Sequence, residues 1–303
     1  MKMNRKLFIA LATLLLFGML AGCKKKEDPA IAELNAQMQA AEQKQEVATT
    51  ATTQTEAIPN TYTETTTEDG LLMGGTVLTG YFGTITNIII PNSITSIGQY
   101  AFKNCSSLAS VTIPNSVTSI EYGAFQSCTS LASVTIPNSV TSIGEIAFSG
   151  CHSLASITIP DSVTSIGMGT FSYCTSLISV TIPDSVQVIC EGAFAGCTSL
   201  TSITIPNSVT RIEGDYAQFG SGGAFEYCTS LTSVTIGSGV TSIGYKTFLN
   251  CTSLTRVTLQ CTISSDNFDI SFPGDLREKY LAEGIGTYTT TAPVNRDSKW
   301  TKQ

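Results

Sequence analysis

Residues Leu108–Ser130 read Leu-Ala-Ser-Val-Thr-Ile-Pro-Asn-Ser-Val-Thr-Ser-Ile-Glu-Tyr-Gly-Ala-Phe-Gln-Ser-Cys-Thr-Ser, and this string decides the fold because it keeps returning. Copies begin at Ile85, Leu108, Leu131, Leu154, Leu177, Leu200, Leu231 and Leu254, eight in all. Cys105, Cys128, Cys151, Cys174 and Cys197 stand 23 residues apart; Cys228 follows after 31 and Cys251 after 23 more. A fixed period of this length is the mark of stacked coils. Within one copy, Val111 and Ile113 alternate with Ser110 and Thr112, so a short strand has one dry and one wet face. Pro114 lacks a donor and closes the strand, and Asn115 and Ser116 turn the chain. Val117, Ile120, Ala124, Phe125 and Cys128 then point back inside. No single coil can enclose these side chains, so its neighbours must stack on it. The expected architecture is a β-rich repeat solenoid of 23-residue coils with short helical or irregular convex segments. At ~4.8 Å per strand step its eight coils span about 34 Å.

Composition fits one elongated repeat body better than two packed globules. The chain has 303 residues, 42% hydrophobic and only 13% charged. Between Leu71 and Ile263 there are four basic side chains (Lys103, Arg211, Lys246, Arg256) and eight acidic ones, with Ser and Thr supplying the polarity. A formal charge of −7 and no basic block in the body exclude a nucleic-acid binder. A single histidine, His152, leaves little material for acid–base or metal chemistry.

The N-terminus carries an address. Lys2, Arg5 and Lys6 precede an apolar run from Leu7 to Leu20, the pattern of a secretory signal. At 14 residues the run is shorter than the ~20 that a spanning helix needs. Leu20-Ala21-Gly22-Cys23 resembles the bacterial lipobox, which implies cleavage before Cys23 and acylation of its thiol. Loss of residues 1–22 removes three positive charges and takes the net charge from −7 to −10. Ile31, Leu34, Met38 and Ala41 fall at helical spacing. From Val47 to Asp69 the chain is rich in Thr and Glu and reads as a flexible stalk. The expected organisation is a signal peptide over 1–22, a lipidated N-terminus and stalk over 23–70, a solenoid over 71–263, and a C-terminal cap over 264–303.

The Ser-Val-Thr-Ile-Pro, Thr-Ser-Ile-Gly and Ala-Phe-x-x-Cys elements make this a leucine-rich repeat, and they resemble the BspA-like, Treponema pallidum-type subfamily over about residues 85–263. Phe272 through Tyr280, Gly286-Thr287-Tyr288 and Trp300-Thr301-Lys302 are similar to the ends of spirochaete members. The resemblance implies a bacterial surface protein that attaches to host matrix proteins, such as fibronectin or fibrinogen, or to other cells. It supplies no residue-level binding motif.

Several features imitate chemistry. Stacked cysteines present parallel Cβ vectors, whereas a disulfide needs convergent ones, and short metal-ligand spacings are missing, so the column reads as buried thiols. Cys190 and Cys261 depart from the repeat, lie three coils apart and are not paired. Asp161 and Asp184 take the turn position held elsewhere by Asn. They read as solvated turn residues, with a weak Ca²⁺ site as the alternative. His152 reads as a surface substitution. No catalytic constellation, cofactor site or metal site is expected.

The binding candidates are therefore surfaces. A concave sheet face offers Thr112, Thr135, Thr158, Thr181, Thr204, Thr235 and Thr258, flanked by Ser110, Ser133, Ser156, Ser179 and Ser202. The insertion at 213–223 adds eight residues to one coil and carries Tyr216 and Phe219 among four glycines. Aromatics on such a loop can anchor a partner. The leading expectation is a non-enzymatic cell-envelope lipoprotein on the outer membrane, surface-exposed, held by lipid at Cys23 and binding proteins in adhesion. A structural spacer or periplasmic scaffold without a dedicated ligand is the alternative, favoured by the near-identity of the coils.

Overall fold

A computed structural model describes residues 64–68, 70–214, 222–268 and 271–303. It is a solenoid with little helix, and its eight coils begin at the repeat starts named above; we number them 1 to 8. Coils 1 to 7 each contribute two strands and a turn, and coil 8 contributes one strand, Arg256–Leu259. The Ser-x-Thr segments form one series, from Asn87–Ile89 in coil 1 through Ser110–Thr112 and onward to Arg256–Leu259 in coil 8. The Ser-Ile segments, from Ser96–Ile97 to Ser242–Ile243, form the other. Within each series neighbours pair in parallel with like residue against like, for example Ser110↔Ser133, Val111↔Val134 and Thr112↔Thr135, except between coils 3 and 4 in both series and between coils 5 and 6 in the first. Identical coils in identical register put each side-chain type in its own row.

The core is a set of such rows. Leu108, Val111, Ile113, Val117, Ile120, Ala124, Phe125 and Cys128 are all buried, as the repeat reading requires. Phe102, Phe125, Phe148, Phe171, Phe194, Phe225, Phe248 and Phe272 stack ring on ring, 4.6 to 5.6 Å apart and within 16° of parallel. Fully buried rings contribute roughly 1.5–3 kcal/mol each by burial, so this stack forms the spine of the molecule.

The cysteine column serves the same stack. Each thiol points one coil back at the carbonyl of a phenylalanine. The Sγ to O distances are 3.0 Å for Cys128 on Phe102, 3.3 Å for Cys151 on Phe125 and 3.3 Å for Cys174 on Phe148. Cys197, Cys228 and Cys251 repeat the contact on Phe171, Phe194 and Phe225. The nine cysteines among the described residues, from Cys105 to Cys261, are free thiols. Burial pushes the Cys174 thiol up to about 12 and holds Cys151, Cys197 and Cys251 well above the ordinary value. Cys105 differs from the buried-thiol reading. It is half-exposed because no earlier coil offers it a phenylalanine carbonyl, and its thiol rises only to about 11.

Both ends of the stack are closed by antiparallel strands. At the N-terminal end Glu64–Thr66, Leu71–Gly74 and Val77–Tyr81 form a meander whose last strand pairs with Ser96–Ile97. At the C-terminal end Arg256–Leu259 is followed in the sheet by Gly286–Thr289 and Thr301–Lys302. A helix, Leu276–Glu283, and the buried Trp300 complete the cap, with Trp300 Nε1 donating to the Pro273 carbonyl at 2.9 Å. Among the described residues no helix is long and apolar enough to cross a membrane.

Candidate functional site

The threonine row lies on the solvent side of the Ser-x-Thr strands. Thr112, Thr135, Thr158, Thr181 and Thr204 are exposed and Thr235 is half-buried. Thr258 leaves the row, since the C-terminal cap covers it and its hydroxyl meets that of Thr287 at 3.0 Å. The row is not a uniform lattice. Its hydrogen-bonded sheet is cut into three pieces, coils 1–3, coils 4–5 and coils 6–8 with the cap strands.

The cut between coils 5 and 6 creates a site. Thr201 N–H still donates to the Ile178 carbonyl at 3.2 Å, but beyond that point Ser179–Thr181 and Ser202–Ile205 are not paired. Their facing backbone groups lack ladder partners, which leaves them open to a ligand. The opening exposes Val180, the only inward residue at the centre of these eight strands that is not buried. An open groove of about 490 Å³ results, with Val180 and Ile182 at its floor. Ser179, Thr181, Ser202, Thr204 and Thr235 supply hydroxyls around it, and Asp184, Asn207 and Gln260 form a polar rim. An apolar floor with a few convergent polar groups is the usual make-up of a binding site.

Three of the threonines singled out from sequence, Thr181, Thr204 and Thr235, thus meet at one groove, while Thr112, Thr135 and Thr158 lie outside it. Tyr216, Phe219 and Cys23 fall outside the described residues, as does the 31–41 segment. Asp161 and Asp184 are both exposed turn residues, and His152 is exposed. Among the described residues no group of three or more His, Cys, Asp and Glu side chains is arranged to hold a metal ion.

The sequence reading missed a second surface. Exposed aromatics gather beside the Ala-Phe turn: Tyr100, Tyr122, Tyr173, Tyr227 and Tyr245. Five of the ten tyrosines in the chain therefore occupy slots that the repeat leaves variable. Tyr100 packs edge-on against Tyr122 at 5.3 Å and lies under the Lys103 ammonium at 4.3 Å. Their enrichment in the variable slots was the available signal.

A family model described as the BspA type leucine rich repeat region matches six copies, over residues 80–172, 123–221 and 221–269. Among solved structures, the T. pallidum leucine rich repeat protein is 30% identical over 66% of this chain and 91% of its own, with a TM-score of 0.50. A leucine-rich repeat protein from Eubacterium ventriosum is 24% identical over 67% of this chain and 52% of its own, with a TM-score of 0.56. A leucine rich cell surface protein from Faecalibacterium prausnitzii is 27% identical over 68% and 75%, with a TM-score of 0.35. No curated protein matches.

Proposed function

The chain belongs to the BspA-type leucine-rich repeat family, and on that premise we propose that it is a cell-envelope lipoprotein whose solenoid binds proteins in adhesion. Leucine-rich repeat solenoids are typically scaffolds that present an extended surface to a partner, without catalysis. The observation that carries the proposal is the groove between coils 5 and 6, where Val180 is only half-buried and strand edges stand unpaired. The ladder is also cut between coils 3 and 4, but there Val134 and Ile157 stay buried, so the coil 5–6 cut is the one that opens onto the core. A rigid sheet also loses little entropy on binding. The surroundings are hydroxyl-rich and nearly uncharged, so affinity should vary weakly with salt. The 213–223 insertion, through Tyr216 and Phe219, is proposed as a second contact, and Cys23 as the acylated anchor.

Three measurements test this reading. Mass spectrometry of the membrane fraction should find an acylated Cys23 at the N-terminus; an intact Met1 or an unmodified thiol contradicts the anchor. Protease added to intact cells should degrade the protein, and the purified mature chain should bind immobilised fibronectin or fibrinogen. Deleting 214–222 should weaken that binding more than Thr158→Ala does. Full protection on intact cells together with no matrix binding would replace adhesion by the spacer reading.

A further inference from the structure

Two of the tyrosines beside the Ala-Phe turn share one backbone slot that points to a ligand, while Tyr100, also at positive φ (58°), stands in another. Each coil needs a residue with positive φ two places after its phenylalanine. Gly150 and Gly196 fill that slot with φ of 73° and 73°, which glycine adopts freely, and Asn104, Ser127 and Asn250 fill it with small polar side chains at 62°, 59° and 62°. Tyr173 and Tyr227 fill it with φ of 56° and 60°, a conformation that a bulky L residue adopts only at a cost. Strain held where glycine is an available alternative is the kind of observation from which a function is inferred.

The two rings are also the open ones. Tyr173 is 59% exposed and Tyr227 54%. By contrast, Tyr100 and Tyr245 each have a lysine ammonium over the ring. Tyr173 leans on Gly196 of the next coil, where an added Cβ would come within 2.8 Å of its ring. Gly196 thus leaves the room in which the ring lies. Tyr173 and Tyr227 occupy the same slot two coils apart. The phenylalanine stack steps 5.4 and 5.2 Å over those coils, so the two rings repeat at roughly 10 Å. Hydroxyls flank the column at Thr175, Thr198 and Thr229, and the one carboxylate next to Tyr227, that of Glu226, is turned inward onto the Gly223 N–H at 3.0 Å.

We propose that Tyr173 and Tyr227 form a binding surface for an extended β-1,4-linked glycan. Tyrosine offers an apolar face to the C–H side of a sugar ring and a hydroxyl to its rim. Successive sugars of a β-1,4 chain are turned over, so every second ring shows the same face, and the interval of two coils is of the same order as that two-sugar repeat. The hydroxyls of Thr175, Thr198 and Thr229 beside the two rings suit a hydroxyl-bearing chain. This inference concerns a different face from the threonine groove and does not rest on the protein-binding reading.

Calorimetric titration of the full mature protein with cellohexaose and chitohexaose tests it, with maltohexaose as the α-linked control. One β-1,4 hexamer should bind saturably and maltohexaose should not. Tyr173→Gly and Tyr227→Gly suit the backbone slot and should keep the fold, yet each should weaken binding roughly tenfold, whereas Tyr173→Phe should retain it. Failure of both β-1,4 hexamers to bind overturns the proposal. So does equal affinity in the glycine variants, or a polypeptide ligand that those variants lose while no glycan binds.

Discussion

Truncating Phe148 to alanine examines the spine of the solenoid at its middle. The ring is fully buried and sits between Phe125 and Phe171, 5.1 and 5.6 Å away at 6° and 9°. Loss of transfer energy plus the cavity costs about 3–5 kcal/mol for a buried phenylalanine. Two features place this site in the upper part of that range. Both ring faces lose an aromatic neighbour, at ~0.5–1.5 kcal/mol per pair. The coils also cannot close over the gap, because their spacing is fixed around it: Phe148 N–H donates to the Thr170 carbonyl at 2.9 Å and Cys174 Sγ lies 3.3 Å from the Phe148 carbonyl. Urea unfolding by far-UV circular dichroism and by fluorescence of Trp300, the only tryptophan, supplies the measurement. Trp300 lies in the C-terminal cap, so a defect in coil 3 of a nearest-neighbour array should also separate the two transitions. Phe82→Ala, at a ring 79% exposed, should change stability by less than about 0.5 kcal/mol. A loss at Phe148 below about 1 kcal/mol would refute the stacked spine.

Three further outcomes follow from side-chain placement. In native protein Cys105 should react with a thiol reagent well before Cys128, Cys151 and Cys174, because it is half-exposed and those three are buried; equal rates would contradict the ladder. The raised thiols should also set an alkaline limit. Their stabilising contribution is complete below the ordinary value of 9.0 and is lost as pH rises from there through about 12, since the unfolded chain ionises first. Urea midpoints should therefore fall from pH 8.5 to 10.5, and a flat profile argues against buried thiols. Gly123→Ala should cost about 1–2 kcal/mol, because φ is +59° and the new methyl meets the Tyr100 ring at 2.6 Å. Adding Tyr100→Ala should recover part of that loss, and no recovery would mean that the ring does not press on residue 123.

What the sequence could reveal here was whatever the repeat enforces. Val111, Phe125 and Cys128 recur at a fixed period, so their inward placement and stacking follow from one copy read eight times. The destination of the thiols was not legible, since a bond from Cys151 to the Phe125 carbonyl depends on how far one coil is offset from the next. The groove was hidden for a related reason. Ser179-Val180-Thr181 has the same residues as Ser110-Val111-Thr112, yet only the former sits at a break in the ladder, which the local string does not encode. The exposed tyrosines occupy positions that averaging over the repeat discards. Reading the variable slots with as much care as the fixed ones would have brought out Tyr173 and Tyr227.

The central claim is that a partner protein docks at the opened sheet between coils 5 and 6, and surface plasmon resonance tests it most directly. Mature protein is passed over immobilised fibronectin and fibrinogen beside two double variants, Thr181→Arg/Thr204→Arg in the groove and Thr112→Arg/Thr135→Arg on the same face outside the groove. All four substituted side chains are exposed, so both variants should fold alike. The account predicts that the groove variant loses binding by tenfold or more while the variant outside the groove binds like the unaltered protein. Equal binding by the groove variant and the unaltered protein would contradict it.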